Sequence, residues 1–288
     1  MSERSIDGPD AGFGGFERDD DGIRQWFRQA SAFAKRHLRV TARNKIAIAL
    51  LAGYPVVWFI STLWLFVEDP EAAAVTAIGV GFGLFGALTA TLAVFAGEFA
   101  RDLQRDRYAK FRALPYAPSA DLAGRFAAGT VVGSASYLAT LVATYFAGGT
   151  FEGWLSPTVW VPVVLTLLAF CLIATSLAIL VGSVLPKPEY MTVLAVVVGL
   201  IAFYLTGQNG MVPWMIAGDG QFVNWLPNSL ATRLQIVGWI EAGGGETDFL
   251  TPPGAPDLLR HGGVLLGQVL LLSGTAFAVV RSVAYGGG

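Results

Sequence analysis

Gly81-Phe-Gly83-Leu-Phe-Gly86 spells the G-x-G-x-x-G pattern that elsewhere lets a dinucleotide pyrophosphate approach the backbone between a strand and a helix. Here the glycines lie inside an apolar run with no strand before them, so close helix packing explains them better. A phosphate loop needs lysine directly after glycine; Lys35, Lys45, Lys110 and Lys187 follow other residues, so the chain has no such loop of its own. Gly133-Ser-Ala-Ser136 offers hydroxyls, but no His or Lys shares their depth to activate them. His37 and His261 are the only histidines and stand far apart, which argues against a metal or catalytic pair. Cys171 is the single cysteine and reads as a small buried hydrophobe; an internal disulfide is excluded.

The elements that would hold such groups explain why none is set up for catalysis. The chain has 288 residues, 54% of them hydrophobic and 14% charged, with a mean hydropathy of +0.56. A soluble domain carries about 25% charged residues and breaks its apolar runs at helical or strand period. Here the runs are continuous and long enough for hydrocarbon, which takes about 20 residues. Spans are predicted at 46–67, 72–97, 126–148, 159–182, 190–206 and 262–280, with Pro55 kinking the first. As drawn, none contains Asp, Glu, Lys, Arg or His, which speaks against a proton-coupled carrier or an intramembrane metalloprotease.

Loop charge sets the expected orientation. With the N-terminus in the cytoplasm, 17 of the 19 Lys and Arg residues fall inside, leaving Arg233 and Arg260 outside beside nine acids. Both termini are then cytoplasmic, in the plasma membrane. Residues 1–22 form an acidic leader read as disordered. Residues 23–43 read as an amphipathic interfacial helix: Arg24, Arg28, Lys35, Arg36, Arg39 and Arg43 share one arc, and Trp26 and Phe27 lie with the apolar residues on the other. The 44–288 segment is the six-span domain. Its loop 98–125 should hold a short helix over 99–113, stopped by Leu114-Pro115 and Pro118, with Ser119 capping the next helix.

At that loop the chain resembles the type-2 ABC exporter permeases, the ABC-2 membrane family. Members carry a Glu at the inner end of the second span, a helix, a Leu-Pro break, a small residue, and Gly-Lys or Gly-Arg entering the third span. Glu98, Leu114, Pro115, Pro118, Ser119, Gly124 and Arg125 fit this pattern. Leu205-Thr206-Gly207, Pro213 and Asn224-Trp225-Leu226-Pro227-Asn228 resemble the family's later turn and its Leu-Pro element; Thr206 replaces the commoner Ser.

The resemblance implies an all-α integral membrane protein with six transmembrane helices, an N-terminal connecting helix (23–43) and a cytoplasmic coupling helix. It also implies an extracellular re-entrant region within loop 207–260, before the last span. The coupling helix would meet a separate ATP-binding-cassette ATPase subunit, and Arg101, Arg105, Lys110 and Phe111 are the expected contacts, with Glu98 near the hinge. The 186–189 turn would be a second, smaller contact. Gly207, Pro213, Trp225, Leu226 and Pro227 would belong to an outer gate. ATP and Mg would sit on the partner, this chain holding no cofactor or metal. A second permease, in a homo- or heterodimer, and membrane lipid are the other expected partners; nucleic acid is not. Uncharged spans suit an amphipathic or lipid-like cargo, with ion or drug export also compatible. The rival readings are a non-transporting sensor or assembly subunit and, further off, a membrane enzyme.

Overall fold

The computed structural model describes residues 18–114, 116–151, 153–185, 187–208, 222–240 and 254–285. Pro115, Pro186, Pro213, Gly243–Gly245, Pro252-Pro253 and most of the acidic leader lie outside the described residues.

Among the described residues there is no strand, and six helices are long and apolar enough to cross a membrane. Helix α1 (Arg18–Arg43) precedes them. The first span combines α2 (Lys45–Ile48), a π-helical turn (Ala49–Gly53) and α3 (Tyr54–Phe66). Pro55 can donate no hydrogen bond to the preceding turn, and the widened turn sits directly before it, where the kink was expected. The other spans are α4 (Ala72–Gln104), α6 (Pro118–Phe146), α7 (Pro157–Val184), α8 (Met191–Leu205, after a 3-10 turn at Pro188–Tyr190) and α10 (Leu258–Val279, continued by a π turn at Val280–Ala284). The short helices α5 (Arg107–Arg112) and α9 (Pro227–Ile240) lie between spans.

Helix α4 is the axis of the bundle, with every residue from Val75 to Ala100 buried. Helices in lipid gain nothing from excluding hydrocarbon from one another, so close contact has to come from small residues and good fit. Gly83 and Gly86 of the dinucleotide-like pattern serve this purpose. A Cβ on Gly83 would stand 2.8 Å from the Tyr137 ring, and one on Gly86 2.5 Å from Ser136 Oγ and 2.6 Å from Pro55 Cγ. Gly129 and Gly133 on α6 likewise admit Thr175 and Cys171 of α7. The pair Gly263 and Gly267 differs from the expected packing: nothing lies within 4 Å of a Cβ there, because that face of α10 points out of the subunit. Most hydroxyls inside the bundle return to their own helix, as in Thr89 to Phe85 O and Thr175 to Cys171 O, which satisfies them without water.

This contrast gives a direct test of the packing. Gly83→Val should destabilise the detergent-solubilised protein by ~1–3 kcal/mol in a thermal melt, the usual cost of overpacking. Gly263→Val should leave the melting of the isolated subunit nearly unchanged. Equal effects at the two positions would contradict the assignment of α4 to the core.

Helix α9 has 14 residues, about 21 Å, too short for a hydrocarbon core of ~30 Å. It is buried along nearly its whole length, and both its ends are held near the end of the bundle opposite α5. Asn228 Nδ2 reaches Ala202 O, Thr206 Oγ1 and Gln208 Oε1 just past α8. At the far end the Trp239 ring stacks edge-on with Phe151 and Trp160 where α7 begins, and its Nε1 donates to Tyr137 OH at 3.1 Å.

Candidate functional site

The densest chemistry lies at the basic end of the bundle, where α1, α4, α5 and α6 meet. Phe33, His37 and Thr41, one helical turn apart on α1, form a buried line. Gly124 of α6 makes that approach possible: a Cβ there would stand 2.5 Å from Phe33 Cβ and 2.8 Å from Ala30 O. Trp26 Nε1 donates to Ser119 Oγ at 3.0 Å, so Ser119 holds α1 and does not cap α6. The cap position is Ala117, whose N–H bonds Gln29 Oε1 of α1, and Pro118 opens the helix at a position that needs no donor.

The expected 99–113 helix is replaced by two pieces. Residues 99–104 continue α4 without a break, Asp106 adopts a left-handed conformation (φ 50°), and only Arg107–Arg112 form a separate helix. The continuation is held by burial and charge. Phe99 is fully enclosed, with the Arg125 guanidinium 5.3 Å from its ring centre. Asp102 accepts from Arg107 Nη1 at 2.6 Å, Arg125 Nη2 at 2.8 Å and Arg36 Nη2 at 3.2 Å.

Around Asp102 the remaining groups close a knot of three arginines and three carboxylates. His37 Nδ1 meets Glu98 Oε2 at 2.6 Å, while its Nε2 faces Asp121 Oδ1 at 3.9 Å. Asp121 Oδ1 lies 3.4 Å from Arg125 Nε. Tyr108 accepts from Arg125 Nη2 at 3.0 Å and donates to Asp121 at 3.4 Å. Burial, set against the opposing pull of Arg125, pushes the Tyr108 hydroxyl well above the usual phenol range, so it keeps the proton it donates. Burial likewise raises the hydroxyl of Tyr285, whose ring is 5.3 Å from that of Tyr108.

The spans as drawn still hold no ionisable group, but the helices that contain them run on beyond the drawn ends. Glu98 and Asp102 lie on α4, and Asp121 and Arg125 on α6, each within a spanning helix. His37, Asp102, Arg107, Tyr108 and Asp121 had no assigned role from the sequence. Their signal was present as i,i+4 pairs, Glu98/Asp102 and Asp121/Arg125, at the facing ends of consecutive apolar runs. Chemically the site is a lock: it has no activated nucleophile, and among the described residues no group of His, Cys, Asp and Glu is arranged to hold a metal ion. It binds α5 to two spans and to α1 through charge-assisted bonds, buried at Asp102 and Arg125 and partly exposed at Arg36 and Arg107.

The other predicted residues are spread around this knot. Arg105 and Lys110 are exposed, Arg101 is half-buried, and Phe111 turns inward, its ring edge-on to Phe33 and Tyr108 with Arg36 5.7 Å from its centre. Leu114 is exposed. On α1, Arg24, Arg28, Lys35, Arg39 and Arg43 are exposed, while Arg36 is drawn into the knot. The apolar arc is mostly spent on α6, which leaves Ile23, Phe27 and Val40 outside. The outer-gate residues are far from the knot. Gly207 takes a left-handed turn (φ 74°) after α8, Trp225 is half-exposed with its carbonyl accepting from Gln268 Nε2 at 2.6 Å, and the extended Leu226 leads into Pro227, which begins α9. Arg233 is buried on α9, its Nη2 donating to Gly254 O at 3.0 Å, and burial pushes its guanidinium down to about 10.

A bundle of six apolar helices with its ion pairs gathered at one end defines a multi-pass membrane protein. The family model for the ABC-2 type transporter matches residues 28–219, and the chain belongs to that family. It is a transporter permease, and the matched region takes in α1 from residue 28 onward, the knot and five of the six spans. A comparison with curated proteins gives no match.

Proposed function

We propose that the chain is the membrane-spanning subunit of an ATP-driven exporter in the plasma membrane. Its basic end and both termini face the cytoplasm, two permeases pair, and separate ATPase subunits hold ATP and Mg. The observation that carries this reading is the knot around Asp102, which makes α5 a rigid extension of α4, α6 and α1. A force applied to a loosely hinged loop would be lost in the loop; one applied to α5 reaches two spans at once. Arg105 and Lys110 form the ATPase contact, Phe111 seats α5 from behind, and Arg101 lies set back between α1 and α4. On the opposite side α9 acts as a re-entrant plug whose position decides whether the exit is closed. Coupling then requires the ATPases to bind the two arrangements of α5 with different affinity.

The test uses Lys110→Cys, because the one native cysteine, Cys171, is buried. A crosslinker at position 110 should join the permease to a copurifying ATP-binding-cassette subunit, identified by mass spectrometry. A permease that emerges alone, or crosslinks at 110 to a protein without ATPase motifs, would move the assignment to a sensor or assembly subunit. Phe111→Asp should abolish transport while ATP hydrolysis in the assembled complex continues, since it places a carboxylate among Phe33, Tyr108 and Tyr116. Normal transport by that variant would refute the role given to α5.

A further inference from the structure

Two cavities adjoin beside the knot. One, about 210 Å³, is lined by Arg36, Arg101, Arg105 and Arg107 together with Val40, Glu98 and Asp102. That is far more room than a single water needs. The second, about 60 Å³, has a mixed lining, with Ile46, Ala47, Ala93 and Val94 beside Thr41, Asn44 and Thr192. Val40, Glu98 and Arg101 line both, so the cavities meet at these residues.

The charges in the first cavity do not balance. Four arginines face two carboxylates, an excess of two positive charges. Asp102 is already shared among Arg36, Arg107 and Arg125, and Glu98 is engaged by His37. Arg101 and Arg105 have no carboxylate within ion-pair distance among the described residues. The Nη1 of Arg36 is buried with no acceptor. A buried guanidinium N–H without an acceptor is costly, and a phosphate oxygen would satisfy it.

We propose that this cavity binds a phosphate group, held by Arg36 and Arg101. The apolar wall of the adjoining cavity, at Ile46, Ala47, Ala93 and Val94, points to an anionic phospholipid as its source, with the headgroup among the arginines and the start of an acyl chain passing Val40 along that wall. A lipid seated there would brace α1 against α4 next to the knot, in the headgroup layer where anionic lipid meets basic side chains. The site does not depend on α5 meeting an ATPase: the readout is lipid, so either assignment can fail without the other.

The experiment is a native mass-spectrometry titration of the full-length permease in mild detergent with phosphatidylglycerol or phosphatidylcholine, with inorganic phosphate as competitor. Phosphatidylglycerol should be retained in preference to phosphatidylcholine. Arg101→Gln should weaken that retention about tenfold, the worth of one charge-assisted hydrogen bond. Val40→Trp fills the junction and leaves every charge in place; it should weaken lipid retention while leaving inorganic phosphate binding intact, and it keeps the test open if Arg101→Gln fails to fold. Displacement of the lipid by millimolar phosphate, with Val40→Trp silent, would keep the phosphate site and overturn the lipid as its source. Equal retention of the two lipids by the native protein, or no change in either variant, would overturn the site altogether.

Discussion

Arg125→Met should be the most destabilising single substitution in the protein, costing ~3–5 kcal/mol and leaving little folded material after detergent extraction. Arg125 is fully enclosed and reaches two carboxylates and Tyr108. Its removal leaves Asp102 with Arg36 and Arg107, so Asp102 remains compensated. Asp121 does not. The His37 ring, at 3.9 Å, would be the nearest remaining nitrogen, and the Asp121 side chain has no exposure to water. The cost therefore comes from one stranded carboxylate more than from the lost bonds. Arg125→Met combined with Asp121→Leu should recover a large part of it, because a buried pair replaced whole by apolar residues is often close to neutral. A thermal melt of the two single variants and the double closes the cycle. If the double variant were no better than Arg125→Met alone, the stranded carboxylate would not be the cause.

Gly124→Ala should also have a large effect, and one methyl group is enough. The added carbon would meet Ala30 O at 2.8 Å and Ala34 N at 3.0 Å as well as Phe33 Cβ. Two of these are backbone atoms of α1, so no rotamer change relieves the clash and the helix must shift as a body. In moving it draws Arg36 away from Asp102, His37 from Glu98 and Trp26 from Ser119. Overpacking alone costs ~1–3 kcal/mol, and loosening of the knot adds to it. The readout is access to the α1–α6 junction. Thr41, buried beside His37, is replaced by Cys in both backgrounds and challenged with a maleimide. Labelling should rise sharply with Gly124→Ala, whereas Gly274→Ala, on an open face of α10, should change nothing. Unchanged labelling would mean that α1 does not depend on this crossing for its place.

Much of the bundle could be read from the chain because the membrane makes a local demand. Every backbone group in hydrocarbon has to be bonded within its own segment, so an apolar run of sufficient length is already a helix. For that reason the six spans lie where the apolar runs placed them, and the glycines at 83, 86, 129 and 133 pack as their spacing suggested. The absence of a phosphate loop was equally a matter of sequence, since it needs only the residue before each lysine.

The ends of the spans were another matter. Hydropathy closed the second span before Glu98 and opened the third after Arg125, because a charge within an apolar window counts as a penalty. Whether that penalty stands depends on partners that the window does not contain. Arg36 and Asp102 are separated by 66 residues, His37 and Glu98 by 61, and Asp102 and Arg125 by 23. Four helices have to come together before the three arginines and three carboxylates offset one another, and only then can α4 run on to Gln104 and shorten the expected coupling helix to Arg107–Arg112. The same holds on α1, where an arc of apolar residues looks alike whether it meets lipid or protein, and Gly124 decided for α6. Thus the sequence by itself determined the number and placement of the spans, because chain length and hydrogen bonding in lipid are local constraints. The tertiary structure alone decided where the polar groups are held, because charge compensation in a buried site is a property of several segments at once.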